Sequence, residues 1–229
     1  MQATLVSLLA LATLGFPQES VHLQRTYKVG EEDRYAVKLS AAVEVGDVDI
    51  QFKSRRKVKS VDQHGAAEIE FMMEELKTLI NGQEPPAGAA PAPVPLVYKF
   101  DKFGMPMALE GGSRGLGSFM QFMGFLGNRT LELGKRSDFS FKDPKIDGRQ
   151  ATGHLKLESI KDGEAKLAAH WEILTEVSPS PLVVDMTSFV EVKSGVVLRS
   201  SGTIQPPASQ GAGTRALQFS MEILRKAGA

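Results

Sequence analysis

Alternation of apolar and polar residues with a period of two is the feature that most restricts how this chain can fold. In "RYAVKLSAAV", the apolar side chains of Tyr35, Val37 and Leu39 alternate with polar or small ones, and Phe219 and Met221 alternate in the same way near the end of the chain. Successive side chains of a strand point to opposite faces of its sheet, so this pattern predicts half-buried β-strands. Similar segments recur along the chain, and we count about eleven strands.

Glycine-containing turns join these segments. The turns fall at residues 62–65, 101–104, 161–163 and 193–195, and each ends in glycine, which accepts the positive φ that tight hairpins require. Strands joined by hairpins run antiparallel. We therefore predict an all-β fold, a curved antiparallel sheet or half-barrel with one or two short helices.

The strand segments also repeat in order. "VGEEDRYAV" resembles "LGKRSDFSF", "KVKSVDQHGAAEIEF" resembles "KLESIKDGEAKLAAHW", and "YKFDKFGMPMALEG" resembles "SFVEVKSGVVLRSSG". Two halves that each hold half a core must pair to bury it. We predict one β domain over residues 18–229, built from related halves at 21–111 and 131–226.

Composition excludes several classes of protein. The 27 basic and 27 acidic residues give a net charge of zero, whereas nucleic-acid binders carry a basic excess. No apolar run approaches the roughly 20 residues of a membrane-spanning helix, so we predict no transmembrane segment. The absence of cysteine excludes disulfides and thiolate chemistry. The oligomeric state is left open.

The first residues, "MQATLVSLLALATLGFPQES", hold an apolar run followed by small and then polar residues. This order is typical of a secretory signal peptide, which we place at residues 1–17, although no Lys or Arg precedes the run. The alternative is a buried first strand or helix. We expect an exported protein, periplasmic or extracellular.

Two segments interrupt the strand pattern. Residues 82–95, "GQEPPAGAAPAPVP", are rich in Pro and Ala, and we predict a flexible loop outside the sheet because proline removes backbone donors. Residues 113–128 contain "SFMQFMGFL", which predicts a connector helix whose apolar face is spaced i, i+3, i+4 and i+7. That face consists of Phe119, Phe122, Met123 and Leu126. The helix either plugs the open side of a curved sheet or forms a lid over a cavity.

The order of these motifs resembles an uncharacterised family of exported bacterial β-proteins, a domain of unknown function. Its pattern is K-x-G-[DE]-x-Y followed by D-x-x-G hairpins and repeated after a helical connector. The segments that resemble it here are "KVGEEDRYAVKL", in which Tyr35 stands two residues later than in the pattern, and "YKFDKFGMPMALEG". The architecture is also similar to the half-barrel of the periplasmic lipoprotein carriers (LolA-like). The first resemblance implies export and no assigned activity. The second implies a curved antiparallel sheet closed by helices over an apolar cavity.

Function is predicted from that cavity. Clefts lined by apolar side chains are the usual form of hydrophobic-ligand sites, so we expect binding of a lipid or acyl chain, without catalysis or a cofactor. The candidate ligand-binding residues are Phe52, Phe71, Met73, Phe119, Phe122, Met123 and Leu126. The alternative is a structural or protein-interaction module with a filled core, with an envelope protein as its partner.

Three further patterns carry weaker functional hypotheses. Ser113 lies in a G-x-S-x-G sequence, which would suit a serine hydrolase, but the surrounding hairpins are the wrong kind of sheet. The four histidines lack metal-ligand spacing, so we predict no metal site. The basic run places Lys53, Arg55, Lys57 and Lys59 on one face of a strand. That face is either a solvated surface that guards against edge pairing or a patch for anionic groups.

Overall fold

The protein is described by a computed structural model, which covers residues 19–43, 46–85, 95–102, 104, 106–110, 128–142, 150–175, 178–206 and 216–224. These parts contain thirteen strands and no helix. The strands are β1 Ser20–Leu23, β2 Glu32–Val43, β3 Gly46–Val61, β4 Ala67–Ile80, β5 Leu96–Phe100, β6 Pro106–Glu110, β7 Arg129–Glu132, β8 Arg136–Lys142, β9 Gln150–Lys161, β10 Glu164–Thr175, β11 Ser178–Glu191, β12 Val197–Gln205 and β13 Leu217–Ile223.

Eleven of the strands form one curved antiparallel sheet in the order β6-β5-β4-β3-β2-β13-β12-β11-β10-β9-β8. Neighbouring strands of this sheet are consecutive in the chain, with one exception. That exception is the pair β2 and β13, which come from the beginning and the end of the chain. The remaining strands, β1 and β7, pair with each other in a separate two-stranded sheet. The predicted all-β class and curved antiparallel sheet are confirmed, and the expected eleven strands correspond to the large sheet.

The predicted alternation sorts the sheet into two faces. We call the side that carries the core the apolar face and the other the polar face. On β2, Tyr35, Val37 and Leu39 are buried while Arg34 and Lys38 are exposed, as the sequence pattern predicts. The apolar face and the small sheet share one core, to which β1 and β7 contribute Val21, Leu23 and Leu131. Burial of these side chains is the main stabilising term of such a fold.

Equivalent connections occur in the two halves of the chain. The amide of Gly30, before β2, donates to the carbonyl of Val58 at 2.9 Å, and the amide of Gly134, before β8, donates to the carbonyl of Leu157 at 2.8 Å. These contacts agree with the matched motifs around the two glycines. The duplication and its bounds stay a prediction.

Several predicted segments lie outside the described residues. These are the signal peptide at 1–17, most of the Pro/Ala-rich loop at 82–95, and the connector helix at 113–128 apart from Asn128. They stay predictions.

The turn between β3 and β4 depends on one carboxylate. Asp62 Oδ1 accepts the backbone N–H groups of His64 at 2.8 Å and Ala66 at 2.9 Å. The bond from Ala66 and then that from His64 lower the Asp62 pKa. A lowered pKa in the folded state stabilises the fold above the unfolded pKa of about 3.9, and the stabilisation is lost as the pH falls through the folded value.

We therefore expect Asp62→Asn to melt at a lower temperature than the wild-type chain at pH 6, because the neutral amide is a weaker acceptor. The two melting curves should converge as the pH falls below about 4 and Asp62 protonates. Thermal unfolding followed by circular dichroism between pH 2.5 and 7 measures this. A melting difference that is constant over that range would contradict the role of the charge.

Candidate ligand-binding site

A partly enclosed pocket lies on the apolar face where β2 to β5 meet the segment at residues 24–31, which leads from β1 to β2. The turn between β11 and β12 borders it through Gly195. Its internal volume is about 50 Å³, enough for a few water molecules or a small polar head group. The lining residues are Arg25, Tyr27, Asp33, Tyr35, Arg56, Val58, Ile69, Phe71, Tyr98, Phe100, Gly195 and Val197.

Aromatic rings make up much of its wall. The ring centroids of Phe71 and Tyr98 lie 5.9 Å apart, those of Tyr98 and Phe100 6.4 Å, and those of Tyr27 and Phe100 6.3 Å. These separations are within the range in which aromatic pairs attract each other. Phe71, Tyr98 and Phe100 reach the pocket because they occupy apolar-face positions of β4 and β5, two strands in direct register.

Arg25 closes one side of the pocket and already has acidic partners. Its guanidinium lies 2.9 Å from Asp33 and 3.0 Å from Glu31, and its side chain is only 11% exposed. Burial works to lower the pKa of Arg25, but attraction to Asp33 and Glu31 outweighs it and the pKa is raised. Burial also raises the pKa of Asp33 against the pull of Arg25. The raised pKa of Arg25 favours a charged pair, whereas the raised pKa of Asp33 favours its neutral form. The short contacts of the guanidinium with two carboxylates favour a charged Arg25.

Arg56 has no comparable partner in the part of the chain that the structure describes. Its guanidinium carbon lies 4.8 Å from the centroid of the Tyr35 ring, and one nitrogen is 3.7 Å from Met221 Sδ. Asp33 stands opposite Arg56 in the β2–β3 register, but its carboxylate bonds to Arg25. A guanidinium has five N–H donors, so most of those of Arg56 remain available to a ligand.

The tyrosines of the pocket stay neutral at physiological pH. Burial raises the pKa of Tyr27 to about 12, although nearby Arg25 and Arg56 act to lower it. Burial likewise raises the pKa of Tyr35. Both hydroxyls therefore act as neutral groups. The charged side chains that line the pocket are Arg25, Arg56 and Asp33, and the carboxylates of Glu31 and Asp101 are close enough to act on Arg25 and Tyr27.

The structure distributes the predicted ligand-binding residues over several positions. Phe52 and Phe71 are buried on the apolar face, and Met73 packs partly buried against the same core. Phe71 lines the pocket, whereas Phe52 and Met73 are not among the residues that line it. Phe119, Phe122, Met123 and Leu126 lie outside the described residues, as does Ser113.

Carboxylates accompany the predicted anionic-group patch on β3. Lys53 pairs with Glu75 at 2.6 Å, Arg55 with Glu74 at 3.2 Å, and Lys59 with Glu70 at 3.2 Å. An external anion would compete with these side chains for the same cations. The fourth member, Lys57, stands opposite Glu32 and Glu70 in the strand register. The patch stays a prediction.

Sequence reasoning missed Arg56, although a signal for it existed. The residues of the basic patch were chosen because they alternate along the strand. That choice kept Lys53, Arg55 and Lys57 and left out Arg56. That same alternation places Arg56 in phase with Phe52 and Val58, which are both buried. Burying a permanent charge on the apolar face of a sheet costs free energy unless the charge is paired. An arginine at such a position therefore indicates a candidate functional residue.

Comparisons with known proteins do not assign a family. No family model matches the chain, and no curated protein matches it. A solved structure described as an outer membrane lipoprotein-sorting protein domain from Vibrio parahaemolyticus is similar over 86% of each chain, with 9% sequence identity and a TM-score of 0.25. A likeness at that level establishes no shared function, so the ligand must be argued from the residues of the pocket.

Two searches of the described residues bear on other kinds of site. No helix there is long and apolar enough to cross a membrane. In the arrangement that the structure describes, no group of three or more His, Asp or Glu side chains of those residues could hold a metal ion.

Proposed function

We propose that this chain is a binding protein, without catalytic activity, for an amphipathic ligand that carries a carboxylate or phosphate. The observation that carries the proposal is Arg56, whose guanidinium contacts a thioether and an aromatic ring, rather than a bonded carboxylate, among the residues that the structure describes. Guanidinium groups bind carboxylate and phosphate oxygens in a bidentate manner. The aromatic wall beside Arg56 supplies the apolar contact for the rest of the ligand.

The size of the pocket limits how such a ligand would lie. A volume of about 50 Å³ accommodates a head group but not the length of an acyl chain. The head group would contact Arg56 and Tyr27, and the hydrocarbon would leave through the open side of the pocket. This arrangement narrows the lipid or acyl-chain hypothesis to a ligand recognised by its charged end.

Electrostatics set the expected strength of that recognition. Hydrogen bonds to charged groups contribute about 1.5–3 kcal/mol, and every 1.4 kcal/mol is a factor of about ten in affinity. Asp33 and Glu31 balance the two arginines in charge, so a bound anion also meets nearby negative charge. We therefore expect the lower end of that range.

Two features support binding rather than catalysis. The described side chains that line the pocket include no serine, histidine or lysine, which are common nucleophiles and bases. Tyr27, with a pKa near 12, is poorly suited to general-base work at neutral pH. The proposed place of action is outside the cytoplasm, and the support for it is the signal-like composition of residues 1–17.

The test compares decanoate with decan-1-ol, which differ at the head group, by isothermal titration calorimetry on the full chain. We expect the wild-type chain to bind decanoate about tenfold more tightly than the alcohol. Arg56→Gln removes the charge and should abolish that preference. Decanoate binding that is absent, or that is unchanged in Arg56→Gln, would overturn the proposal.

Arg34→Gln is the matched control for this experiment. Arg34 lies on the polar face of β2, is exposed, and pairs with Glu32 at 2.7 Å. Its loss changes the net charge by the same amount without touching the pocket. Wild-type affinity in this variant attributes the effect to the position of Arg56.

The second candidate is a structural or protein-interaction module with a filled core, and the small volume of the pocket favours it. In that case neither decanoate nor decan-1-ol binds, and full-length protein purified from its own cell fraction carries no extractable apolar ligand. Native mass spectrometry before and after solvent extraction distinguishes the two functions.

A further inference from the structure

A row of titratable side chains crosses the polar face of β8 to β11, in the other half of the sheet from the pocket. Strand pairing places Asp138 opposite His154, His154 opposite His170, and His170 opposite Asp185. The four residues come from four different strands and are far apart in sequence. Their common row follows only from the strand register.

Asp185 orients the imidazole of His170. The Nδ1 atom of His170 lies 2.7 Å from Asp185 Oδ1, so Nδ1–H donates to the carboxylate, and in the neutral ring the lone pair is then on Nε2. A carboxylate bonded to one imidazole nitrogen in this way is the usual support of a metal-ligating histidine, because it fixes the tautomer and the ring direction.

Glu172 stands at the second ring nitrogen of His170, Nε2. Its Oε1 is 3.5 Å from His170 Nε2, which is long for a hydrogen bond. Two donor atoms that each bind one Zn²⁺ at about 2.1 Å with a tetrahedral angle are separated by about 3.4 Å. His170 and Glu172 therefore already stand at the separation of two ligands of one ion.

His154 is the third candidate ligand. Its ring is stacked on that of His170 with centroids 5.4 Å apart, and its buried Nδ1 has no hydrogen-bond partner among the described residues. The three side chains do not yet converge, so His154 must turn about its side-chain bonds to reach the ion. No hydrogen bond at Nδ1 opposes that rotation.

The surrounding charges favour a cation overall. Asp138, Glu172 and Asp185 are acidic, while Arg136 and Lys156 are basic neighbours that stand opposite each other on β8 and β9, and Arg136 pairs with Asp138 at 2.5 Å. We propose that His154, His170 and Glu172 form a binding site for a borderline divalent cation such as Zn²⁺, with Asp185 as a positioning residue. Imidazole nitrogens with a carboxylate suit Zn²⁺ better than the hard cations Ca²⁺ and Mg²⁺.

The site is tested with Zn²⁺ alone, added to the metal-free full chain, by competition with a chromogenic chelator. We expect one Zn²⁺ per chain, and at least a tenfold loss of affinity in His170→Gln and in His154→Gln. Asp185→Asn should weaken binding by about 10–100-fold, as removal of an orienting carboxylate does. An absence of Zn²⁺ binding, or His154→Gln and His170→Gln variants that bind like wild type, would overturn the proposal.

His64→Gln is the matched control, since His64 lies in the exposed turn between β3 and β4 beside Gln63. It removes one imidazole and should leave the Zn²⁺ affinity unchanged.

A second experiment needs no variants. In nuclear magnetic resonance spectra of the wild-type chain, Zn²⁺ should shift the ring signals of His154 and His170 while those of His22 and His64 stay in place. Uniform shifts of all four histidines would contradict a defined site.

Discussion

Replacing Trp171 by alanine should lower the free energy of unfolding by about 3–5 kcal/mol, the usual cost of emptying a large buried aromatic site. Trp171 is fully buried on the apolar face of β10. Its ring lies 4.3 Å from that of Phe139, and both stand opposite Gly153 in the strand register. Collapse around the cavity is limited because Gly153 has no side chain to move into it.

Urea unfolding followed by far-ultraviolet circular dichroism measures this loss, since the variant removes the only tryptophan of the chain. Phe189→Ala is the control. Phe189 lies partly exposed on the polar face of β11, beneath the guanidinium of Arg199 at 3.7 Å. We expect a loss of about 1 kcal/mol or less there, the scale of an exposed cation–π contact. Equal losses at the two positions would contradict the assignment of the faces.

Replacing Gly195 by alanine should cost about 2–4 kcal/mol, through backbone strain and overpacking together. The φ of Gly195 is +67°, and a Cβ there would lie 2.3 Å from the backbone oxygen of Gln24. Backbone atoms cannot be moved aside as a flexible side chain can. The turn between β11 and β12 would have to separate from the segment that borders the pocket.

Gly163→Ala is the matched control for this substitution. Gly163 lies in the hairpin between β9 and β10 with a φ of +80°, but a Cβ there meets no atom within 4 Å. It should therefore cost only the strain of a left-handed residue, about 1 kcal/mol. Thermal unfolding and decanoate titration of both variants measure stability and the pocket. Similar losses in the two variants would mean that the contact with Gln24 is not restrictive.

Much of the sheet could be predicted because its causes are local. The alternation on β2 correctly separated Tyr35, Val37 and Leu39 from their polar neighbours, and glycines marked the hairpins at Gly163 and Gly195. Irregularities within strands were not visible. At the bulge of β4, Glu75 has a φ of +53° and shifts the alternation by one residue, although nothing in its side chain requires that conformation.

The candidate sites were harder to predict, since each depends on contacts between distant residues. Arg56 carried a local signal, because it is a charged residue at an apolar-face position of β3. That no carboxylate of the described residues bonds to it depends on Arg25, which pairs with Asp33. The row that contains His154 and His170 had no sequence signal. Their spacing matches no metal motif, and only the pairing of β9 with β10 brings the two rings together.

The sequence by itself therefore determined the strand class, the positions of the hairpins and which side chains share a face, because each follows from the conformational preferences of neighbouring residues. The tertiary structure alone decided that β2 pairs with β13 and β1 with β7. It also decided that the pocket forms where residues 24–31 cross the sheet. Such choices depend on register and on burial shared between distant segments, and a period-two pattern fits many partners equally well.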